Sequence, residues 1–390
     1  MARLSKILIP SVTSINEKVF ELYQKGFYSR ALEGAEKILI GAEQTYGTMH
    51  QSLVPYVSNL AVLFDLQAKF AEAETLFDKA MKIIKILKER PDSEERYSQV
   101  DETMTLNNFG IHCYLQGRLD EATKYYNESL AIIGKIYGPD SYESVPVFNN
   151  FALLYEAQEV YSEAETLYNK TLVILQNCFG SGKLDEGCIL NNFGALYDFE
   201  GRFTEAESFY QRSLGILEGA AGKIHPFTAC PLDNLAKLYD AKKEYQSAEN
   251  FYKQTLTIRE ATLGSHHPDT VATIDSLAGL YRIERRFMEA DIYCKRVLEI
   301  KEKIFGPNHS ETILSLHNLA GLYAEQGKNS EALFIYKKIL EIAEKVYGKD
   351  SAPVAEVLEK TAKVVRNCED EGRAKKLEDR AKKILAKLNK

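Results

Sequence analysis

The sequence predicts an all-α fold, a solenoid of antiparallel helix pairs, because one pattern of small and aromatic residues returns along almost all of its 390 residues. The pattern is plain in residues 191–210, where Ala206 belongs to a series of alanines that recur every 42 residues, with a single interval of 49. The members of this series are Ala31, Ala73, Ala122, Ala164, Ala206, Ala248, Ala290, Ala332 and Ala374. Glycines end seven of the repeats, at Gly47, Gly138, Gly180, Gly222, Gly264, Gly306 and Gly348. Nine copies at fixed spacing indicate one array of repeats rather than several unrelated domains.

The first helix of each repeat is indicated by apolar and small residues at helical spacing. In repeat 5, the residues Leu190, Phe193, Gly194 and Tyr197 fall at i, i+3, i+4 and i+7, so they share one face of a helix. The glycine on this face predicts a close approach of the two helices of a repeat, because a larger side chain there would cost roughly 1–3 kcal/mol.

The second helix of repeat 5 follows a turn at residues 200–202 and is predicted to bury Tyr210. Thr204 stands three residues before Glu207, a spacing that predicts a capping box at the start of the helix. Gly222 is expected to take the left-handed conformation that ends it.

These residues resemble the tetratricopeptide repeat. Its signature of a small residue, a tyrosine, a later alanine and a following aromatic residue is met by Gly194, Tyr197, Ala206 and Tyr210. Long repeats that open with His-Pro-Asp, as at His267, resemble those of kinesin light chains, and the resemblance covers about residues 15–385. It implies a right-handed superhelical solenoid whose first helices line a concave groove, and it implies a role as a cargo adaptor or scaffold.

The domain organisation predicted from the spacing has three parts. Residues 1–14 form an N-terminal arm, and residues 15–372 form eight helical-hairpin repeats with a seven-residue insertion near 88–96. Residues 373–390 form a basic C-terminal capping helix that completes a degenerate ninth hairpin, as the end of an array requires.

Prolines and histidines give further expectations for the loops. Pro55 and Pro146 stand too deep for the first turn of their helices, which are therefore predicted to start late or to kink. Four histidines follow a repeat-ending glycine by three residues, and the regular slot favours loop capping over metal binding: His50, His225, His267 and His309. Cys188 and Cys230 share a slot in adjacent repeats and are a weak metal signal by themselves.

Composition excludes several functional classes. The net charge of −7 disfavours binding to nucleic acid, and no apolar run is long enough to span a membrane. The six cysteines contain no Cys-x-x-Cys motif, which favours a reducing compartment and a cytoplasmic location. Phosphate-loop, nucleophile-elbow and zinc-protease motifs are missing from the sequence, so we expect a protein that is not an enzyme and needs no cofactor or metal.

Asparagines recur on the first helices, on the side opposite the predicted core face, and form the candidate peptide-binding ladder. The set is Asn59, Asn107, Asn108, Asn149, Asn150, Asn191, Asn192, Asn234 and Asn318. A side-chain amide both donates and accepts, so a row of them suits the backbone of an extended peptide. The resemblance to kinesin light chains implies the same role. The sequence leaves a second role open, in which these amides bond neighbouring repeats and only set the superhelix.

Apolar and acidic residues near the ladder complete the candidate site. The predicted apolar groove consists of Val62, Leu66, Ile111, Leu115, Leu153 and Phe199, and it lies in repeats 2 to 5. The predicted acidic rim consists of Asp65, Glu156, Asp198, Asp233, Asp240 and Asp275. These charges favour a ligand that carries Lys or Arg beside an apolar anchor.

Three functional hypotheses follow. The first is a non-enzymatic scaffold or adaptor that binds an extended or short helical peptide of another protein in its concave groove. The second is self-assembly into a homo-oligomeric scaffold, and the third is a regulatory subunit of a separately encoded enzyme.

Overall fold

The computed structural model of the chain describes residues 28–388 except 68 and 90–97, together with Val19 and Leu22. The predicted arm at residues 1–14 and most of the predicted insertion near 88–96 lie outside the described residues. Throughout the described part, all regular structure is helical, with seventeen α-helices and two 3₁₀ helices at Gln51–Leu53 and Tyr142–Ser144.

The helices alternate along the chain as the repeat predicts. The first helices of repeats 2 to 9 are α2 (Val54–Asp65), α4 (Gln99–Leu115), α6 (Val145–Ala157), α8 (Leu184–Phe199), α10 (Pro226–Ala241), α12 (Pro268–Ile283), α14 (Ser310–Glu325) and α16 (Ala352–Asn367). The second helices of repeats 1 to 9 are α1 (Tyr28–Tyr46), α3 (Phe70–Lys88), α5 (Leu119–Ile136), α7 (Tyr161–Phe179), α9 (Phe203–Ala221), α11 (Tyr245–Thr262), α13 (Phe287–Phe305), α15 (Asn329–Tyr347) and α17 (Glu371–Leu388).

The helices form two compact bodies. The N-terminal body contains the described residues up to Leu238 and Thr257–Gly264, and the C-terminal body contains Tyr239–Leu256 and the described residues from Ser265 onward. Within each body, a helix packs against the next helix in the chain, so hairpins stack in sequence order. The predicted all-α solenoid of tetratricopeptide-type hairpins is confirmed.

Helix ends follow the sequence signals for termination and for loop capping. Gly222 ends α9 with φ at +86°, a conformation that glycine adopts without steric cost. The imidazole Nδ1 atoms of His50, His225, His267 and His309 each accept the backbone N–H two residues later, at 3.1–3.3 Å. The loop-capping role predicted for these histidines is confirmed.

The prediction for the proline-containing helices is confirmed as well. Residues 51–53 and 142–144 form 3₁₀ turns, and α2 and α6 begin only at Val54 and Val145, which places Pro55 and Pro146 in the first helical turn. At that position a missing N–H breaks no hydrogen bond within the helix.

The capping box predicted at Thr204 is wrong. The helix α9 begins at Phe203, its N-cap is Arg202, and no side chain caps it. Thr204 is therefore already inside the first turn, where its hydroxyl cannot serve as the N-cap acceptor.

The core lies between the two helices of each hairpin and the next first helix. Tyr126, Tyr168 and Tyr210 are fully buried second-helix residues. Gly194 faces Tyr210 so closely that a Cβ atom there would stand 2.8 Å from the ring, which confirms the predicted close approach. None of the helices among the described residues is both long and apolar enough to cross a membrane.

Candidate functional site

The first helices of the N-terminal body are buried on nearly all sides. No residue of α2 or α6 is exposed, and α4 and α8 expose only Gln99, Val100 and Phe199. A helix that is apolar all round is expected to be buried in this way. The physical reason is that each of these helices contacts the neighbouring first helices as well as its own second helix. For example, α2 contacts α4, and α4 contacts α6.

The asparagine ladder lies inside this packed region. Seven of its members are at most 6% exposed: Asn59, Asn107, Asn108, Asn149, Asn150, Asn191 and Asn192. Asn234 and Asn318 are partly exposed. The side chains that were expected to face a peptide are therefore in contact with protein.

The amides bond from one repeat to the next in a fixed order, in which the second asparagine of a repeat donates to the first asparagine of the preceding repeat. Asn150 donates to Asn107 at 3.1 Å, Asn192 to Asn149 at 2.8 Å, and Asn234 to Asn191 at 2.9 Å. At the N-terminal end, Asn108 donates to the Ser58 hydroxyl at 3.2 Å.

Pairs within one repeat continue the network, since Asn149 donates to the Asn150 carbonyl at 3.1 Å. Buried amides that satisfy one another avoid the cost of about 1–3 kcal/mol that an unpaired buried polar group carries. In this arrangement the ladder joins the first helices to each other, which is the second of the two roles that the sequence left open.

The predicted apolar groove divides into buried and exposed members. Val62, Leu66, Ile111 and Leu153 are buried, so the expectation that they face solvent is wrong. They belong to the helix–helix packing described above. Leu115 is partly buried, and Phe199, the last residue of α8, is 70% exposed.

The predicted acidic rim also divides. Asp65 and Asp233 are buried, so they are not rim residues: Asp65 bonds His112 Nδ1 at 2.6 Å, and Asp233 pairs with Arg259 at 3.3 Å and with Lys237 at 2.7 Å. Loss of hydration raises the pKa of Asp65, an effect that its bond to His112 opposes.

The other four rim residues are partly exposed. Glu156 accepts the Tyr168 hydroxyl at 2.6 Å, Asp198 accepts the Tyr210 hydroxyl at 3.4 Å, and Asp275 accepts the amide of Asn318 at 3.5 Å. Burial raises the pKa of Asp240.

An exposed surface that combines aromatic rings with carboxylates lies at the turn between α6 and α7 and at the end of α8. We call it the acidic aromatic edge and define it by Tyr155, Glu159, Tyr161, Glu163 and Phe199. The rings of Tyr161 and Phe199 are 5.7 Å apart between centroids, inclined at 56°. Glu159 holds φ at +62°, although glycine takes the matching turn position in repeats 3 and 5. Backbone strain of this kind costs about 1–2 kcal/mol.

The segment of the chain that contains four of these five residues is negatively charged. Between Lys135 and Lys170 the chain contains no lysine or arginine, but it contains six carboxylates. The pKa of the Tyr161 hydroxyl is raised, first by partial loss of hydration and then by the carboxylates of Glu159, Glu200 and Glu156. Sequence reasoning found only Phe199 of this edge. The long interval without basic residues was the signal that could have found the other four.

Metal and thiol chemistry have little support in the described residues. They contain no group of three His, Cys, Asp or Glu side chains placed to hold a metal ion. All six cysteines are free thiols, and burial, with a smaller effect of Cys230, raises the pKa of Cys188 well above its ordinary value.

Comparison with known proteins identifies the repeat. A sequence profile of the tetratricopeptide repeat matches the chain four times, and together the matches cover more than half of it: residues 101–177, 146–219, 185–261 and 269–345. The chain belongs to the tetratricopeptide repeat family. This membership supports a protein-interaction scaffold as its functional class. A comparison with curated protein sequences gives no significant match.

Solved structures with the tetratricopeptide fold are similar over much of the chain. The sensor protein PH0952 from Pyrococcus horikoshii, a signal transduction ATPase with numerous domains, is 14% identical at a TM-score of 0.61, over 93% of this chain and 52% of that one. The apo quorum sensor NprR from B. thuringiensis is 16% identical at a TM-score of 0.54, over 93% of this chain and 97% of that one. A protein from P. anserina that is assigned as a kinesin light chain, with nearly identical repeats, is 23% identical at a TM-score of 0.47, over 51% of this chain and 94% of that one.

Proposed function

We propose that this tetratricopeptide repeat protein is a non-enzymatic cytoplasmic adaptor that binds an extended or short helical segment of another protein on the acidic aromatic edge. The observation that carries the proposal is the 70% exposure of Phe199 beside Tyr161, at the end of a helix that is otherwise buried. Covering a phenylalanine side chain contributes about 1.5–3 kcal/mol, which makes Phe199 the natural apolar anchor.

The asparagine ladder has a supporting role in this proposal. Its bonds between α4, α6, α8 and α10 hold the first helices at fixed spacing, so the ends of those helices are rigid before a partner arrives. A preorganised surface loses less conformational entropy on binding. Partner recognition then rests on side chains at the helix ends, with Glu156 and Asp198 as rim carboxylates.

A peptide-display selection tests the proposal. Random dodecamers are selected on the full chain, and the dissociation constants of the enriched peptides are measured on the full chain and on the Phe199→Ala variant. Peptides that bind the parent chain at least tenfold more tightly than Phe199→Ala, while the two proteins unfold at the same temperature, are the expected result. Enriched peptides with equal affinity for both proteins would place the binding surface elsewhere and overturn the proposal.

Self-association is a second candidate, and a different surface favours it. In the C-terminal body, Met288 and Ile292 on α13 are 82% and 62% exposed, and Phe334 at the matching position of α15 is 75% exposed. Exposed apolar side chains at this density often mark an interface. Sedimentation of the chain and of Phe334→Ser at several concentrations tests it: a monomer up to high micromolar concentration rejects self-association.

A further inference from the structure

The second helices of repeats 5 and 7 are each preceded by an N-cap arginine that stacks on a tyrosine of the preceding helix. Arg202 lies 4.0 Å from the ring centroid of Tyr197, and Arg286 lies 4.4 Å from that of Tyr281. Each arginine also pairs with a carboxylate three residues later, Glu205 at 3.0 Å and Glu289 at 2.9 Å. A guanidinium stacked on a ring and paired with a carboxylate is a favourable arrangement.

Other repeats fill the same position with a cation. Lys69 lies 5.7 Å from the Phe64 ring, and Lys328 lies 5.6 Å from the Tyr323 ring. In repeat 3, Arg118 pairs with Glu74 at 2.9 Å. The position before the second helix is therefore a cation seat in most repeats of this chain.

Repeat 4 keeps the seat but lacks the cation. Val160 stands where repeats 5 and 7 have their arginines, Tyr155 supplies the ring, and Glu163 supplies the carboxylate three residues later. The backbone is the same, because Val160 N–H donates to the Tyr155 carbonyl at 2.9 Å, and Arg202 and Arg286 donate to theirs at 2.8 Å.

The backbone angles of the three positions agree as well. Val160 has φ −98° and ψ 67°, Arg202 has −85° and 63°, and Arg286 has −83° and 67°. Tyr155 is partly exposed, and Glu159 and Glu163 are exposed. Among the described residues, Glu163 bonds only the neighbouring Ser162 hydroxyl.

We propose that the Tyr155–Glu163 seat binds an arginine side chain of the partner polypeptide, which takes the place that Arg202 and Arg286 fill from within the chain. The inference rests on the proposed function, because it names the chemistry of the segment that also covers Phe199. Arginine fits better than lysine, since a planar guanidinium stacks on the ring and bonds the Glu163 carboxylate through a fork of N–H groups. Glu159 adds a second negative charge at the same turn.

The charge balance of the turn explains why the seat in repeat 4 should bind a cationic side chain of another polypeptide. In repeats 5 and 7 the arginine neutralises the carboxylates around it: Arg202 pairs with Glu200 and Glu205, and Arg286 pairs with Glu284 and Glu289. Repeat 4 has carboxylates without an arginine, within an interval of 34 residues that contains no basic side chain. A cationic segment is complementary to that charge.

A substitution within the chain can block the seat and so test the proposal. In Val160→Arg, the new side chain should stack on Tyr155 and pair with Glu163, as Arg202 does one repeat later, so it should fill the seat from within. Val160→Leu is the matched control, because it changes size without adding charge. Glu163→Gln, an exposed substitution, removes the carboxylate without disturbing packing.

The probes are the capped peptide Ac-Gly-Arg-Gly-Phe-Gly-NH₂ and its citrulline counterpart, which is nearly isosteric and uncharged. Binding is followed by NMR of the full chain with selectively labelled tyrosine and phenylalanine rings. We expect the arginine peptide to bind about fivefold or more tightly than the citrulline peptide. Val160→Arg and Glu163→Gln should remove that preference, Val160→Leu should keep it, and all variants should melt as the parent does.

Two outcomes overturn the arginine seat. One is equal affinity for the arginine and citrulline peptides, and the other is an undiminished preference for arginine in a folded Val160→Arg chain. Neither outcome touches the Phe199 anchor, which the display selection tests separately. An arginine preference that Val160→Arg abolishes, together with an arginine-peptide affinity that Phe199→Ala leaves unchanged, would support the seat and reject the anchor.

Discussion

The first helices of the two bodies differ in how their inward polar positions are filled. In repeats 3 to 5 of the N-terminal body these positions hold neutral amides, and α2 and α6 expose no residue at all. In the C-terminal body the matching rung joins Asp275 to Asn318 at 3.5 Å. The next pair, His317 and Lys360, has no hydrogen bond between its members among the described residues, and His317 Nδ1 is buried without a partner.

This difference shows which side chains allow a first helix to be buried. A pair of amides carries no net charge. When it is buried it loses its hydration, and the hydrogen bonds within the pair offset that loss. An ionised side chain loses far more on burial. The C-terminal helices therefore remain amphipathic: α16 exposes Glu356, Glu359, Lys360 and Lys363.

The largest difference in stability between the two bodies is expected when one amide is removed from each. Asn150→Ala removes the bond that Asn150 donates to Asn107 and the bond that it accepts from Asn149, which should cost about 3 kcal/mol of unfolding free energy. Asn318→Ala removes a long bond at a partly exposed site and should cost about 1 kcal/mol or less. Urea unfolding measures both, with hydrogen exchange to locate the effect, because repeat arrays can unfold in parts. Equal losses in the two variants would mean that the N-terminal ladder adds no special stability.

The second largest expected effect is a loss of stability of the C-terminal body at acid pH. Burial, together with a smaller effect of Lys360, lowers the pKa of His317 from 6.5 to about 4. The unfolded chain therefore takes up this proton more readily, so the His317 contribution is complete above pH 6.5 and is lost as the pH falls to about 4. The loss should reach about 2 kcal/mol in the C-terminal body.

Hydrogen exchange at pH 7 and pH 4.5, in the parent chain and in His317→Asn, measures this effect. The parent should lose protection in α14 and α16 at the lower pH, and the variant should lose less. If the variant loses as much protection at pH 4.5 as the parent, the acid sensitivity comes from other groups. Glu356, whose pKa is lowered, is the first of these to test.

Replacing His317 should complete the unfinished rung between α14 and α16 of the C-terminal body. His317→Asp places an acceptor opposite Lys360, in the position that Asp275 has opposite Asn318. A partly exposed pair of this kind should add about 1 kcal/mol at pH 7. The midpoint of urea unfolding at low and high salt is the measurement, since a gain that persists unchanged in 1 M salt would not be an ion pair.

The smallest expected effects come from relieving a strained turn, and one such turn from each body gives a matched pair. Glu159 and Arg285 have φ at +62° and +56°. Replacing either with glycine relieves the left-handed strain and should raise stability by about 0.5–1 kcal/mol. Both variants should melt slightly higher, whereas only Glu159→Gly should weaken the arginine peptide. Weakening by Arg285→Gly would show that the affinity change follows turn flexibility rather than charge.

Most of the fold was predictable because local signals repeat nine times. Gly222 and His267 mark helix boundaries through their own backbone and side-chain bonds, and Pro55 delays its helix through the N–H that it lacks. The capping box at Thr204 failed, because the N-cap is Arg202, two residues earlier than the motif requires.

The burial of the ladder was not predictable from one repeat. A helical wheel places Asn192 and Leu153 opposite the core face, but whether that side meets water depends on how closely successive first helices approach. That spacing is a property of the assembled array. A signal was present all the same, since the central turns of α2 and α6 contain no charged residue.

The most direct test of the account compares Asn150→Ala with Phe199→Ala in two measurements on each protein, the melting temperature and the affinity for a display-selected peptide. We assign Asn150 to the scaffold and Phe199 to the surface that binds the partner. Asn150→Ala should therefore melt several degrees lower and, below its transition, bind as tightly as the parent, whereas Phe199→Ala should melt as the parent does and bind at least tenfold more weakly. An Asn150→Ala chain that keeps its melting temperature and loses the peptide would contradict the account, because the ladder would then be the binding site.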